Sequence, residues 1–226
     1  MLLLEKILRL SLQPVYTNAT PMESLTASEK KFLLHLSTPQ KIQEYLESIP
    51  FNHEEDGETC MSVRDVIRNG KAHCLEGAFL ACASLILQGR PAFIVSLKVT
   101  RDDYDHVITL YKEHGYWGAI SKTNHAVLGY RDPVYKTIRE LAMSYFHEYF
   151  LATTGEKTLR GYSRIISMKR FGSSWITATY NLFTIAEAIA DAPYSMVIPQ
   201  ENKKYIRHAT KIEKAASLIS WDNLSS

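Results

Sequence analysis

A thiol, an imidazole and two small polar groups stand where they can act together. Cys74 opens the segment CLEGAFLACASLILQ (residues 74–88), in which only Glu76, Ser84 and Gln88 are clearly polar and no proline intervenes. The segment predicts a helix, and a helix apolar on nearly every side is buried on nearly every side. Gly89 is a stop, and Arg90-Pro91 cannot extend the helix. Cys74 therefore falls in the first turn. A helix N-terminus carries roughly +0.5 charge and unpaired N–H groups, and such a place lowers a thiol pKa from about 8.5 toward neutrality or below. A thiolate nucleophile also needs a base or imidazolium beside it and a third group to orient that ring. His106 begins a predicted strand 32 residues later, and Ser121 and Asn124 stand just past the next strand. The chemistry open to such a set is attack of sulfur on an amide or ester carbonyl. Backbone N–H groups at the helix start, including that of Cys74, would hold the oxyanion.

The elements that must position these groups follow from pattern. Residues 92–99, rich in branched and aromatic side chains, read as a strand. After the charged turn RDDYD (101–105), HVITLYKE (106–113) alternates as a strand does, and YWGAIS (116–121) reads as a third strand. With His114-Gly115 as a two-residue hairpin loop, Glu113 pairs with Tyr116. His106 then faces Thr123, with Ser121 diagonal on the same face, about 7–8 Å away. A three-residue loop would shift that register.

Upstream, Thr20-Pro21-Met22-Glu23 has a capping-box pattern with proline at the first helical position, predicting a helix to about Leu36. Ser37-Thr38-Pro39-Gln40 repeats the signal and opens a helix carrying Ile42, Tyr45, Leu46 and Ile49, ended by Pro50. Residues 51–60 are a polar loop. Ser62 and Asp65 cap a short helix that Asn69-Gly70 breaks. Downstream, residues 122–131 form a loop, and Asp132-Pro133 is expected to open a helix through about Tyr149, striped by Val134, Ile138, Leu141, Tyr145 and Tyr149. Further expectations are a strand within 159–165, a helix over 175–190 and a last helix over 203–221. The layout is α+β, with an N-terminal helical segment (1–37), a core (38–150) and a C-terminal helical extension packed on the core (151–226).

Composition narrows the classes. Of 226 residues 46% are hydrophobic and 22% charged, an ordinary soluble balance, and a net charge of +2 implies no strongly charged partner. Three cysteines suit a reducing compartment. Cys74 and Cys82, eight apart on one helix, lie about 12 Å apart, too far for a disulfide. The opening MLLLEKILRL is interrupted by Glu5, Lys6 and Arg9 and reads as a short helix or docking segment, not a signal peptide. No window reaches the roughly 18–20 apolar residues of a membrane span. The expectation is a cytoplasmic protein without a membrane partner.

GKAHCLEGAFLACASLILQGRPA resembles the cysteine-helix motif of the transglutaminase-like superfamily, and DHVITLYKEHGYWGAIS looks like its histidine strand, hairpin and tryptophan strand. The preceding FNHEEDGETCMSVRDVIRNG is similar to what leads into the motif in bacterial members. The resemblance covers roughly residues 38–150. It implies a papain-like thiol fold with a Cys-His-Asp triad, a peptide or amide-bearing substrate and no cofactor. Cys74 and His106 match the first two roles. The usual aspartate falls near Ser121; Asn124 is the other candidate, since asparagine orients the imidazole in papain-like enzymes, and Asp132 looks like a helix cap. The implied activity is that of a peptidase, amidase or acyltransferase; the alternative is a silent binding or scaffold module that keeps the fold.

Plainer readings stand beside these. A cysteine at a buried helix start is commonly core, and Ser121 and Asn124 are turn-formers. Glu76 reads as a first-turn carboxylate, Cys82 as packing, and Trp117 as core or as a substrate-binding wall beside the thiol. His53, Cys60, His73 and Cys74 lack the paired spacing of zinc sites, so no metal is expected. The basic run from Lys203 to Lys214 lacks the interleaved aromatics of a nucleic-acid surface and reads as a solvated face.

Overall fold

A computed structural model describes residues 24–125, 127–217 and 219. Among the described residues four helices precede the sheet: α1 (Ala27–His35), α2 (Pro39–Ser48), α3 (Val63–Asn69) and α4 (Cys74–Leu87). Six strands follow, β1 (Ala92–Lys98), β2 (His106–Glu113), β3 (Tyr116–Ile120), β4 (Arg131–Tyr135), β5 (Gly161–Ser163) and β6 (Tyr194–Met196). They are interleaved with α5 (Ile138–Met143) and α6 (Phe183–Ala190), and α7 (Lys211–Ser217) lies beyond them. The strands form one antiparallel sheet in the order β4-β3-β2-β1-β5-β6. The architecture is α+β. Among the described residues no helix is long and apolar enough to cross a membrane.

α4 is the centre of one face. Every residue from Leu75 to Leu85 is buried. Its polar side chains are used rather than stranded: the Ser84 hydroxyl donates to the Leu33 carbonyl (2.9 Å) and Gln88 to the Leu36 carbonyl (2.7 Å). These bonds satisfy carbonyls at the C-terminal end of α1, which a helix cannot pair internally. Ile94, Val107, Tyr111 and Ile120 of the sheet pack on this side. On the opposite face Val95, Leu97, Ile108, Leu110 and Ala119 pack against Leu141, Ala142 and Tyr145. Alternate residues of β1 and β2 thus serve two cores, as a strand period of two requires.

The β2–β3 hairpin has the two-residue loop. His114 (φ 46°) and Gly115 (φ 90°) both take left-handed backbone, and Glu113 pairs with Tyr116. The regular ladder stops at Thr109 and Ile120, so the expected His106–Thr123 pair does not form and residues 121–125 leave the sheet.

Several expectations are corrected. α1 begins at Ala27, with Thr26 as N-cap in a capping box with Glu29; the Thr20–Glu23 signal and the opening ten residues lie outside the described residues. Asp132-Pro133 does not start a helix. Those residues lie in β4, at the sheet edge, where a proline's missing N–H costs no ladder bond. The helix starts at Ile138 instead, capped by Thr137 with Glu140 reaching back, and Leu141, Tyr145 and Tyr149 of the expected stripe are buried. The helix expected over 175–190 is a 3₁₀ turn (Ser174–Ile176) and the separate α6. Between them Asn181 and Leu182 are spent on Cys60: its N–H donates to Asn181 Oδ1 (2.9 Å) and its carbonyl accepts Leu182 N–H (2.7 Å). Residues beyond 150 are not only helical, because β5 and β6 extend the sheet. The last expected helix is present as a 3₁₀ turn (Gln200–Tyr205) and α7; its end at Trp221 lies outside the described residues.

Candidate functional site

Cys74 is the first residue of α4 and is partly exposed, whereas Cys60 and Cys82 are buried. All three are free thiols. α4 is fixed against β2 one turn further in, where the Thr109 hydroxyl donates to the Ala78 carbonyl (2.9 Å). That contact sets Cys74 beside the first residue of β2, His106. The entry to β2 is tied down as well: Asp105 accepts Val99 N–H (3.0 Å) and pairs with Lys98 (2.7 Å).

His106 is buried, and its Nε2 lies 2.7 Å from Ser121 Oγ. Ser121 Oγ also donates to the Leu128 carbonyl (2.9 Å). A hydroxyl has one proton to give, so toward His106 its oxygen accepts, and Nε2 carries the ring proton. Nδ1 is left bare, and the His106 imidazole helps to lower the pKa of the Cys74 thiol. Ser121 is itself clamped. The Gln43 side chain accepts Ser121 N–H and donates to the Ser121 carbonyl, both at 2.9 Å. The chain of contact runs from α2 through Ser121 and His106 to the sulfur.

Asn124 lies in the turn after β3, half-buried, three residues past Ser121. Trp117 does not fit the part of a wall beside the thiol. It pairs with Lys112, six residues along β2 from His106, about 20 Å at strand rise. It packs with Phe93 on the face away from α4.

The helix start holds more than the pattern of residue types announced. His73 is the N-cap of α4: its Nδ1 accepts Leu75 N–H (3.2 Å), and its Nε2 lies 3.1 Å from the Thr59 carbonyl. Glu76, fully buried, closes the cap by accepting His73 N–H (2.9 Å). It also accepts Asn52 Nδ2 (3.2 Å), the Thr59 hydroxyl (2.7 Å) and Met61 N–H (2.9 Å). One carboxylate therefore fastens the 52–61 loop to the helix that bears the thiol. In the sequence Glu76 was legible only as a first-turn carboxylate, and Gln43, 78 residues from its partner, left no local signal.

Space at the site is set by Gly77. A Cβ there would meet Lys122 Cβ at 2.4 Å. Lys122 crosses over this glycine to donate to the carbonyls of Leu46 (2.8 Å) and Ile49 (2.6 Å) at the end of α2.

The electrostatics separate the three thiols. Burial alone would raise the Cys74 pKa, but hydrogen bonds from His106 and His73, with the charge of both rings, bring it to about 5. Burial pushes Cys60 up to about 12, with Glu76 adding to the rise, and burial does the same for Cys82. His73 is opposed by burial but raised to about 9 by Cys74 and Glu76. Among the described residues no group of three or more His, Cys, Asp or Glu side chains is arranged to hold a metal ion. No protein-family profile matches the chain, and no curated protein matches it significantly.

Proposed function

We propose that the chain is a thiol enzyme of transglutaminase-like, papain-like type. Cys74 attacks an amide or ester carbonyl of a peptide or other amide-bearing substrate. The sulfur adds to the carbonyl carbon, and N–H groups at the start of α4 receive the developing oxyanion. His106 gives a proton to the leaving nitrogen or oxygen, and an acyl-thioester on Cys74 results. Water or an amine, deprotonated by His106, then attacks the thioester and returns the proton to the site. Ser121 holds the His106 ring. Three free thiols suit a reducing compartment, and we place the protein in the cytoplasm.

One observation carries this reading: a half-buried free cysteine at a helix start, with the His106 ring held by Ser121 (2.7 Å) and lowering the thiol pKa. The competing reading, a silent module of the same fold, is favoured by the hydroxyl standing where a carboxylate is usual. An electrophilic peptide probe decides between them. Mass spectrometry should find one covalent adduct, on Cys74, lost in Cys74→Ala and slowed at least tenfold in His106→Ala. Labelling unchanged in His106→Ala would leave Cys74 without a base and return the silent module.

A further inference from the structure

A cavity of about 410 Å³ is walled by the start of α5 and by the outer strands β5 and β6. It belongs to the face of the sheet on which Ile138 and Tyr162 pack, opposite to the face on which Cys74 packs. β5 is separated from β2, the strand of His106, by β1. The cavity is thus a different place from the thiol site, and its size falls in the range of small-molecule sites.

Two guanidinium groups, Arg139 and Arg164, line it, and among the described residues no carboxylate does. Arg139 spends an Nη2 hydrogen on the Val197 carbonyl (3.0 Å), which holds the group at the wall. A guanidinium has further N–H donors to give. The Arg164 side chain has no hydrogen-bond or ion-pair partner among the described residues, and neither have the hydroxyls of Tyr162 and Ser195. The backbone that carries Arg164 is nevertheless fixed. Its N–H donates to the Pro193 carbonyl (2.8 Å), and its carbonyl accepts the Ser163 hydroxyl (3.0 Å). Ser163 Oγ in turn accepts Ser96 N–H (3.0 Å). Two like charges at one cavity repel each other, and a bound anion offsets that repulsion.

We propose that this cavity binds a phosphate monoester of a small organic molecule, the phosphate held by Arg139 and Arg164 and the organic body lying against Tyr162 and Ile165. Arginine forks match phosphate oxygens in pairs. A phosphate monoester offers more acceptor oxygens than a carboxylate, enough for two guanidinium groups and the neighbouring hydroxyls together. The Tyr162 ring and the Ile165 side chain supply the apolar wall that a bare inorganic ion would leave unused. The proposal goes beyond the thiol-enzyme reading and does not depend on it.

The test is calorimetric titration of phenyl phosphate into the full chain at neutral pH and low ionic strength, where charge contacts are least screened. Inorganic phosphate and phenol are the comparison arms. Phenyl phosphate is expected to saturate a single site per chain and to bind more tightly than either arm. Arg164 is exposed, so Arg164→Gln should leave the unfolding temperature unchanged. It should weaken phenyl phosphate about tenfold or more, the worth of one charge-assisted hydrogen bond. Arg139→Gln should act in the same direction, and Arg164→Lys, which keeps the charge without the fork, should recover part of the loss. No saturation by phenyl phosphate, or equal affinity in wild type and Arg164→Gln, would overturn the proposal. Inorganic phosphate binding as tightly as phenyl phosphate would overturn the organic ester and make free phosphate the occupant.

Discussion

Ser121 makes the orienting contact with the weakest group able to make it. A hydroxyl oxygen accepting from Nε2 carries no charge, so it fixes the ring but steadies an imidazolium less than a carboxylate would. Ser121→Ala is expected to lower the probe-labelling rate about tenfold, the worth of roughly 1–1.5 kcal/mol for one neutral hydrogen bond. Asn124→Ala should cost less, since Ser121 Oγ already lies 2.7 Å from Nε2. Parallel rate measurements on the two variants check this; a larger loss in Asn124→Ala would transfer the orienting role. Cys74 and His106 were legible in the sequence because each begins an element with strong local signals. His73 was legible only as a residue type without metal spacing. What makes it matter, its ring lying between Leu75 N–H and the Thr59 carbonyl with Glu76 closing the cap, arises when residues 52–61 fold over the helix start.

At the scale of elements, the site is assembled by α2 as much as by the hairpin. Gln43 mimics a neighbouring strand, offering one acceptor and one donor to the backbone of Ser121 just where the ladder ends. Gln43→Leu strands a buried N–H and a buried C=O. The expected cost is about 2–6 kcal/mol, since each of the two unsatisfied groups costs about 1–3 kcal/mol, and probe labelling should slow because Ser121 loses its register. Thermal unfolding and labelling rate measured together test this. Full stability with unchanged rate would mean the clamp is redundant. The hairpin was readable from His114-Gly115, a pair suited to the loop's left-handed backbone. β4 was not, because Asp-Pro is as good a helix opener as an edge-strand residue. Thr137 and Glu140 four to seven residues on were the better signal, and the buried stripe of Leu141, Tyr145 and Tyr149 fits either start.

At the scale of the molecule, the three thiols report on different motions. Cys82 lies fully buried between α4 and the sheet, 3.7 Å from the Thr109 hydroxyl. Cys60 joins the loop before α3 to the residues before α6, across 121 positions of sequence. Neither can meet a reagent unless the packing around the sheet opens. With iodoacetamide at pH 8 and rising urea, Cys74 should label at a rate set by the native state. Cys60 and Cys82 should accelerate together at the unfolding transition seen by circular dichroism. Equal labelling of all three in native buffer would remove the distinction between a functional thiol and two packing ones.

The sheet ends in β4 on one side and in β6 on the other. An outer strand with free N–H and C=O groups is a template on which another chain can add. β4 puts Pro133 at its middle, where no N–H exists to be recruited, and charges at Arg131 and Asp132 beside it. β6 offers only three residues, Tyr194–Met196. The residue that imitates a helix start in the sequence thus acts, once folded, as a blunt end that discourages strand-by-strand polymerisation.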